Sequence, residues 1–256
     1  MTTREAQSPS AVIDRVAVLL DAFRNADRLT LSELSRRSGL PRSSTHRMLV
    51  QLVRLGWVRR HGHTYELGMK MLELGSLAQH HDRVHRAALP VLHDLHNTTG
   101  LVVHLAVLDG TDVLYLEKLG GRFTLAVPSR VGGRQPAHRT AIGKALLAHS
   151  RIDPHTILPE PVTGPTPHSI NDADRLRAEL ARVREQNIAH DRDETAIGVS
   201  CVAAAIGDSR HTVGAISVCG PTASINTSAL TTPVRMAAHA TWRHLTGNRV
   251  RRPVPA

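Results

Sequence analysis

Between Arg36 and Arg60 the chain carries Arg36, Arg37, Arg42, Arg47, Arg54, Arg59 and Arg60 without an Asp or Glu among them. Inside that run, Arg42-Ser43-Ser44-Thr45-His46-Arg47 followed by Gln51 brings several reading chemistries together. Guanidinium groups bind guanine edges or phosphates, a side-chain amide suits adenine, and hydroxyls reach either base or phosphate. At roughly 100° of rotation per residue, Thr45, Met48, Leu49 and Leu52 share one helical face. Ser43, His46, Arg47 and Gln51 share the opposite one, with Arg42 and Ser44 near its N-terminal end. A polar face by itself is also what an ordinary surface helix shows.

The elements that must position this face give it meaning. Thr30-Leu31-Ser32-Glu33 has the form of a capping box and predicts a short helix ending near Ser38. Gly39 then supplies a turn, and Pro41 suits the first position of a helix running to about Val53. Two short helices around a tight glycine turn make a helix-turn-helix candidate. Upstream, Val12, Val16, Leu19, Leu20 and Phe23 recur at helical spacing within Ala11–Phe23. Downstream, residues 56–60 and 64–67 read as two strands around His61-Gly62-His63, a wing. Arg59 and Arg60 are placed there for phosphate, while Trp57, Val58 and Tyr65 anchor the hairpin. The expected DNA-contacting set is Arg42, Ser43, Ser44, His46, Arg47, Gln51, Arg59 and Arg60, and the expected partner is double-stranded DNA.

Other constellations carry less. Gly143-Lys144 invites a phosphate-loop reading, but His138 stands where the first Gly is needed and Ala145 replaces the magnesium-holding hydroxyl. Helix packing is the simpler role for Gly143. His81 and His85 lie four apart with His80, His93 and His96 nearby, yet no thiolate or carboxylate cluster completes a metal site. Cys201 could be a nucleophile or redox sensor, but a buried, inert Cys lining a pocket is the ordinary reading. Asp191 could act as a general base, but no partner is fixed in sequence, so ligand binding or a strand-end turn is preferred. No catalytic set, metal or cofactor is therefore expected. An enzyme turning over a small acid while tethered to DNA, and a chromatin-like non-specific binder, stand as alternatives.

The 256 residues have room for two unequal domains, and the net charge of +10 favours a polyanionic partner. Lys70, Lys118 and Lys144 are the lysines, an arginine bias that GC-rich coding also produces. Cys201 and Cys219 lie in apolar, strand-like segments and are read as belonging to no disulfide or zinc framework, which accords with a reducing cytosol. The opening MTTREAQSPS lacks the apolar core of a signal peptide, and the apolar runs are too short to span a bilayer. A cytoplasmic protein without a membrane partner is expected.

Beyond residue 68 a linker helix with a weak stripe of Met71, Leu72, Gly75 and Ala78 precedes a helix over residues 83–98. Strands are expected at 101–107 and 113–117 around Asp109-Gly110, and a third at Phe123–Val127. A Gly/Arg/Pro-rich loop at 131–138 leads into a helix through Thr140–Leu147. Asn171 is expected to cap a helix burying Leu176, Leu180 and Val183. A hairpin of 200–206 and 212–218 and a last helix near 228–245 follow. The fold class is α+β, an antiparallel sheet with helices. The expected division is a disordered tail (1–10), a winged helix-turn-helix (11–68), a linker helix (69–82), a sensing domain (83–248) and a basic tail (249–256) containing Arg249, Arg251 and Arg252.

With these motifs in place, the chain resembles the IclR family of bacterial transcriptional regulators over nearly its whole length. The matching stretches are Leu31-x2-Leu34 through Gly39-Leu40-Pro41-x-Ser43-Ser44-Thr45-x-Arg47, Tyr65-x-Leu67-Gly68, and His104-Leu105-Ala106-Val107 with Tyr115-Leu116. Further on come Gly143-Lys144-Ala145, Asp191-x2-Glu194-x3-Gly198-x2-Cys201-x-Ala203-Ala204, and Ala215-Ile216-Ser217-x2-Gly220-Pro221. The resemblance implies a GAF-like effector domain and homodimers or dimers of dimers; the expected function is a repressor on a pseudo-palindromic operator, nucleoid-associated when bound. It also implies a pocket for a small polar or carboxylate effector, lined by Gln135, Ala141, Ile142, Asp191, Cys201, Ser217 and Cys219. Asp193 stands where the family often has Glu, Ala205 where it has Pro, and Cys219 where it has Ser.

Overall fold

The structure, a computed structural model, describes residues 11–120, 127, 129–160, 162–208 and 211–247. The chain parts into two compact units between Gln79 and His80. The first contains α1 (Val12–Asp21), β1 (Leu29–Thr30), α2 (Leu31–Ser38), α3 (Arg42–Arg54), β2 (Val58–His61), β3 (Thr64–Leu67) and most of α4 (Met69–His81). The capping box forms: Thr30 Oγ1 accepts from the Glu33 amide at 3.3 Å, and Glu33 accepts from the Thr30 amide at 2.8 Å. Gly39, in the left-handed region at φ 69°, ends α2. Pro41 occupies the N-cap position of α3, one residue before the first helical position expected for it and without a side-chain capping bond. Leu19, Leu34, Leu49, Leu52, Val58 and Tyr65 meet in one apolar cluster, to which Thr45 adds a fully buried side chain. The wing is a three-stranded antiparallel sheet in the order β1-β3-β2; its first strand was not expected from so short a segment. On α4, Met71 of the expected apolar stripe is half-buried, while Leu72, Gly75 and Ala78 are exposed, as are Leu74 and Leu77.

The second unit follows as α5 (Arg83–Thr99), β4 (Val102–Asp109), β5 (Asp112–Leu119), β6 (Arg134–Pro136), a 3-10 turn (Ala137–Arg139), α6 (Ala141–Leu147) and α7 (Pro154–Ile157). Then come α8 (Ala173–Gln186), β7 (Ala189–Arg192), β8 (Val199–Gly207), β9 (Thr212–Pro221) and α9 (Thr227–Gly247). Six antiparallel strands form one sheet in the order β6-β5-β4-β9-β8-β7. Helices α6 and α8 cover one face, where Ala106, Ala203 and Ala215 meet Ala145, Leu147, Leu176 and Leu180. Helices α5 and α9 cover the other, where Leu105, Val202, Ile216 and Val218 meet Leu92, Val234 and Ala238. With both faces buried, β8 reads as an almost unbroken apolar run.

Three local expectations change. Strand β6 forms inside the segment read as a loop, because Arg134, Gln135 and Pro136 pair with Leu114, Val113 and Asp112 along the free edge of β5. The cap of α8 is Asp172, whose carboxylate accepts from the Arg175 amide at 2.8 Å, rather than Asn171. The strand expected at Phe123–Val127 falls, apart from Val127, outside the described residues, as do the tails at 1–10 and 249–256.

Candidate nucleic-acid interface and buried pocket

In the first unit, burying Thr45, Leu49 and Leu52 turns the other side of α3 outward. Arg42, Ser43, His46, Arg47 and Gln51 are exposed, and Ser44 is half-buried near the helix start. Arg42 Nη1 donates to Ser32 Oγ at 2.9 Å, which ties the reading helix to the start of α2. On the wing, Arg60 Nε donates to the Gly62 carbonyl at 2.8 Å and its guanidinium lies 5.7 Å from the centre of the Tyr65 ring. The strand register brings in a group that spacing along the chain concealed. Glu66 sits opposite Arg59 and meets Arg28 at 2.9 Å, His61 at 2.9 Å and Arg59 at 3.4 Å. Hydrogen bonds from Arg28 and His61 hold its carboxyl below the usual range. The basic run is uninterrupted in sequence, yet its wing carries a carboxylate counter-ion.

The second unit holds a partly open cavity with about 20 Å³ of free space, room for one or two water molecules. Alternation along each strand builds it. Cys201 on β8 and Ser217 and Cys219 on β9 point to the α6 side, as does His104, in phase with Val102 and Ala106 on β4. Gln135, Ala141, Ile142, Asp191, Cys201, Ser217 and Cys219 all line this one cavity. His104, Tyr115, Ser129, Thr140 and Thr195 line it too and were not expected. The strand period, applied to the His104-Leu105-Ala106-Val107 motif, is the signal that would have found His104.

The wall is polar but satisfied. His104, 1% exposed, contacts Ser129 Oγ through Nε2 at 2.7 Å and packs against Tyr115 at 5.2 Å between ring centres. Burial, helped by Lys118, pulls His104 down to about 3, so the ring is neutral at physiological pH. Burial also raises the Tyr115 hydroxyl and the Asp191 carboxyl. Asp191 accepts from the Glu194 amide at 2.8 Å and from Thr195 Oγ1 at 2.7 Å, which closes the turn after β7. Lys118 Nζ donates to the carbonyls of Ser129 at 2.6 Å and Val127 at 3.3 Å, holding those two wall residues.

The cysteines differ from expectation. Cys201 and Cys219 are directly opposed on β8 and β9, 4.2 Å apart at Cα, and their sulfurs are joined as a disulfide. Separation in sequence hid this, because only strand register decides which residues oppose each other. A Cα separation so short belongs to a non-hydrogen-bonded antiparallel pair, whose side chains approach closely.

Lys144 proves structural. It is 1% exposed and donates to both oxygens of Glu194 at 2.7 Å, with Glu179 at 3.5 Å. A Cβ on Gly143 would overlap the Ala137 backbone, so close packing requires glycine there. His85 meets Glu117 at 2.9 Å, and among the described residues no group of three His, Cys, Asp or Glu is placed to hold a metal. Asp193, at φ 60°, accepts from the Gly198 amide and Thr222 Oγ1 at 2.7 and 2.8 Å, which gives that departure from the family pattern a turn-forming role.

Comparison with known proteins decides the family. The IclR helix-turn-helix domain matches residues 12–62, and the bacterial transcriptional regulator IclR C-terminal domain matches residues 76–243. The chain belongs to the IclR family. It is 32% identical to the HTH-type transcriptional regulator XynR of Escherichia coli K12 over 236 residues, 90% of each chain. It is 29% identical to the transcriptional repressor IclR of the same organism, covering 79% of this chain and 77% of that one. Among solved structures, an IclR homolog from Microbacterium hydrocarbonoxydans complexed with 4-hydroxybenzoate superposes with a TM-score of 0.82 at 27% identity, covering 93% of this chain and all of that one. This IclR-family protein is thus a transcription regulator with a helix-turn-helix DNA-binding domain and a C-terminal ligand-binding domain. Its relatives are named as regulators rather than enzymes, which sets aside the tethered-enzyme alternative. Among the described residues no helix is long and apolar enough to cross a membrane.

Proposed function

We propose that this regulator is a repressor that grips a pseudo-palindromic operator as a homodimer or dimer of dimers, and that a small polar or carboxylate effector in the C-terminal cavity controls its grip. The observation that carries the reading is the outward face of α3, where Ser43, His46, Arg47 and Gln51 are presented beside a basic wing. Helices of this kind read base edges in the major groove, with Arg59 and Arg60 on adjacent phosphates. A second copy is supported by apolar side chains left uncovered: Val12 and Ile13 on α1 are 68% and 80% exposed, and Leu72 and Leu77 on α4 are 60% and 54% exposed.

For the effector, the cavity offers hydroxyls at Ser129, Thr140 and Ser217, an amide at Gln135 and a neutral imidazole at His104. A space of about 20 Å³ is too small for a multi-atom ligand, so the walls must part. An effector that binds only the opened arrangement shifts the population toward it and changes operator affinity by that difference. The neighbour crystallised with 4-hydroxybenzoate makes hydroxy acids the first compounds to try.

Operators selected from a random duplex pool, followed by fluorescence anisotropy, test the reading. Arg47→Ala should lose about 1–3 kcal/mol of preference for the selected site over a scrambled one while its circular dichroism stays unchanged. Undiminished preference would overturn the assignment of α3. Calorimetric titration of hydroxy and keto acids, repeated with operator present, tests the effector: a binder must change operator affinity by the same factor that operator changes its own.

A further inference from the structure

The cysteine pair forms part of the cavity wall. The chain has two cysteines, and strand register sets them face to face, 4.2 Å apart at Cα, in the lining of the cavity. Neither sulfur has another thiol in the chain to pair with. Cys219 also has polar neighbours: its sulfur lies 3.7 Å from His104 Nδ1 and 3.9 Å from Ser217 Oγ. Both side chains are nearly covered, Cys201 at 8% and Cys219 at 3% exposure, so only a small reagent that enters the cavity can reach them.

We propose that Cys201 and Cys219 form a reversible two-electron redox site, whose oxidant is a small hydroperoxide and whose state sets the free space of the cavity. In the oxidation, the Cys219 sulfur attacks one peroxide oxygen. The O–O bond breaks, the departing oxygen takes the thiol proton to leave as an alcohol or water, and Cys219 becomes a sulfenic acid. The Cys201 sulfur then attacks the Cys219 sulfur; the S–O bond breaks and hydroxide leaves with the Cys201 proton as water. Two thiols have lost two electrons and two protons, and the peroxide has been reduced. A dithiol reductant reverses the bond by exchange.

The spatial consequence follows from atomic radii. Bonded sulfurs sit about 2.05 Å apart, whereas unbonded ones need about 3.5–4 Å. The strands on either side are held in register by the β8–β9 ladder, so a reduced pair gains that distance by turning a sulfur into the cavity. A cavity of about 20 Å³ has little room for it. The dithiol therefore fills the space that the disulfide leaves free. This chemistry stands without any effector; only its consequence for operator binding rests on the reading of the cavity as the effector site.

The test uses the full-length protein, reduced with a dithiol and then treated with hydrogen peroxide. Alkylation under denaturing conditions should label two thiols before peroxide and none after, with a Cys201–Cys219 cross-linked peptide in the digest. Hydrogen exchange of the two forms should differ by about fivefold or more in segments 129–147 and 199–219. Cys219→Ser should abolish the peroxide response, whereas Cys201→Ser should stop at a Cys219 sulfenic acid, trapped by dimedone, with no cross-link. Two labels surviving peroxide, or sulfinic acid without a cross-link, would overturn the redox site. A cross-link that leaves exchange unchanged would overturn its control of the cavity. Neither readout involves an effector, so failure of the effector reading is seen separately, in the titrations above.

Discussion

Replacing Lys144 with Met should cost the C-terminal unit about 3–5 kcal/mol, the loss seen when one partner of a buried ion pair is removed. The magnitude rests on geometry: an ammonium 1% exposed, two 2.7 Å bonds to Glu194, and a second carboxylate at 3.5 Å. Met fills a similar volume, so the cost is chiefly the uncompensated carboxylate. For a unit of this size the loss corresponds to a melting-point drop of roughly 6–20 °C by calorimetry. Its pH dependence is the sharper check. Burial already holds the Glu194 carboxyl above its ordinary 4.5, with Lys144 pulling it back, so removing Lys144 raises it further. A group whose folded pKa is raised contributes stability below its unfolded pKa and loses it as pH rises. The difference between parent and variant should therefore be full at neutral pH and shrink as pH falls toward 4.5. Glu194→Leu added to Lys144→Met should recover most of the loss. A cost under about 1 kcal/mol, or one independent of pH, would refute the account of Lys144 as a buried structural cation.

His104, His138 and His190 are held by burial at about 3, 4 and 4, so the unfolded chain binds more protons below 6.5. Stability should fall by up to about 1.4 kcal/mol per pH unit per histidine as pH drops below that value, read from urea midpoints at several pH values. Arg59→Ala should lower the salt slope of DNA binding by about 0.9, whereas Glu66→Gln, freeing Arg28, Arg59 and His61, should strengthen binding at low salt; anisotropy across a salt series checks both. Gly143→Ala should destabilise by about 1–3 kcal/mol through overlap with the Ala137 backbone, measured by denaturant unfolding.

The first unit was largely legible from the chain. Thr30 and Glu33 cap across three residues, Gly39 ends a helix at its own φ, and the faces of α3 follow from a 3.6-residue period. Each of these is a local fact, complete within a turn or two. What escaped was non-local even here: Glu66 reaches Arg59 and Arg28 only through strand pairing.

By itself the sequence determined that this chain carries a capped helix-turn-helix with Ser43, His46, Arg47 and Gln51 on one face, and an α+β domain after it. The tertiary structure alone decided which distant residues meet. His104 and Cys219 are 115 positions apart, Lys144 and Glu194 are 50 apart, and the two cysteines are 18 apart. Periodicity tells which way a side chain points, but strand order and register choose what it points at. That choice made Lys144 a buried counter-ion and turned two separate cysteines into one wall of a cavity.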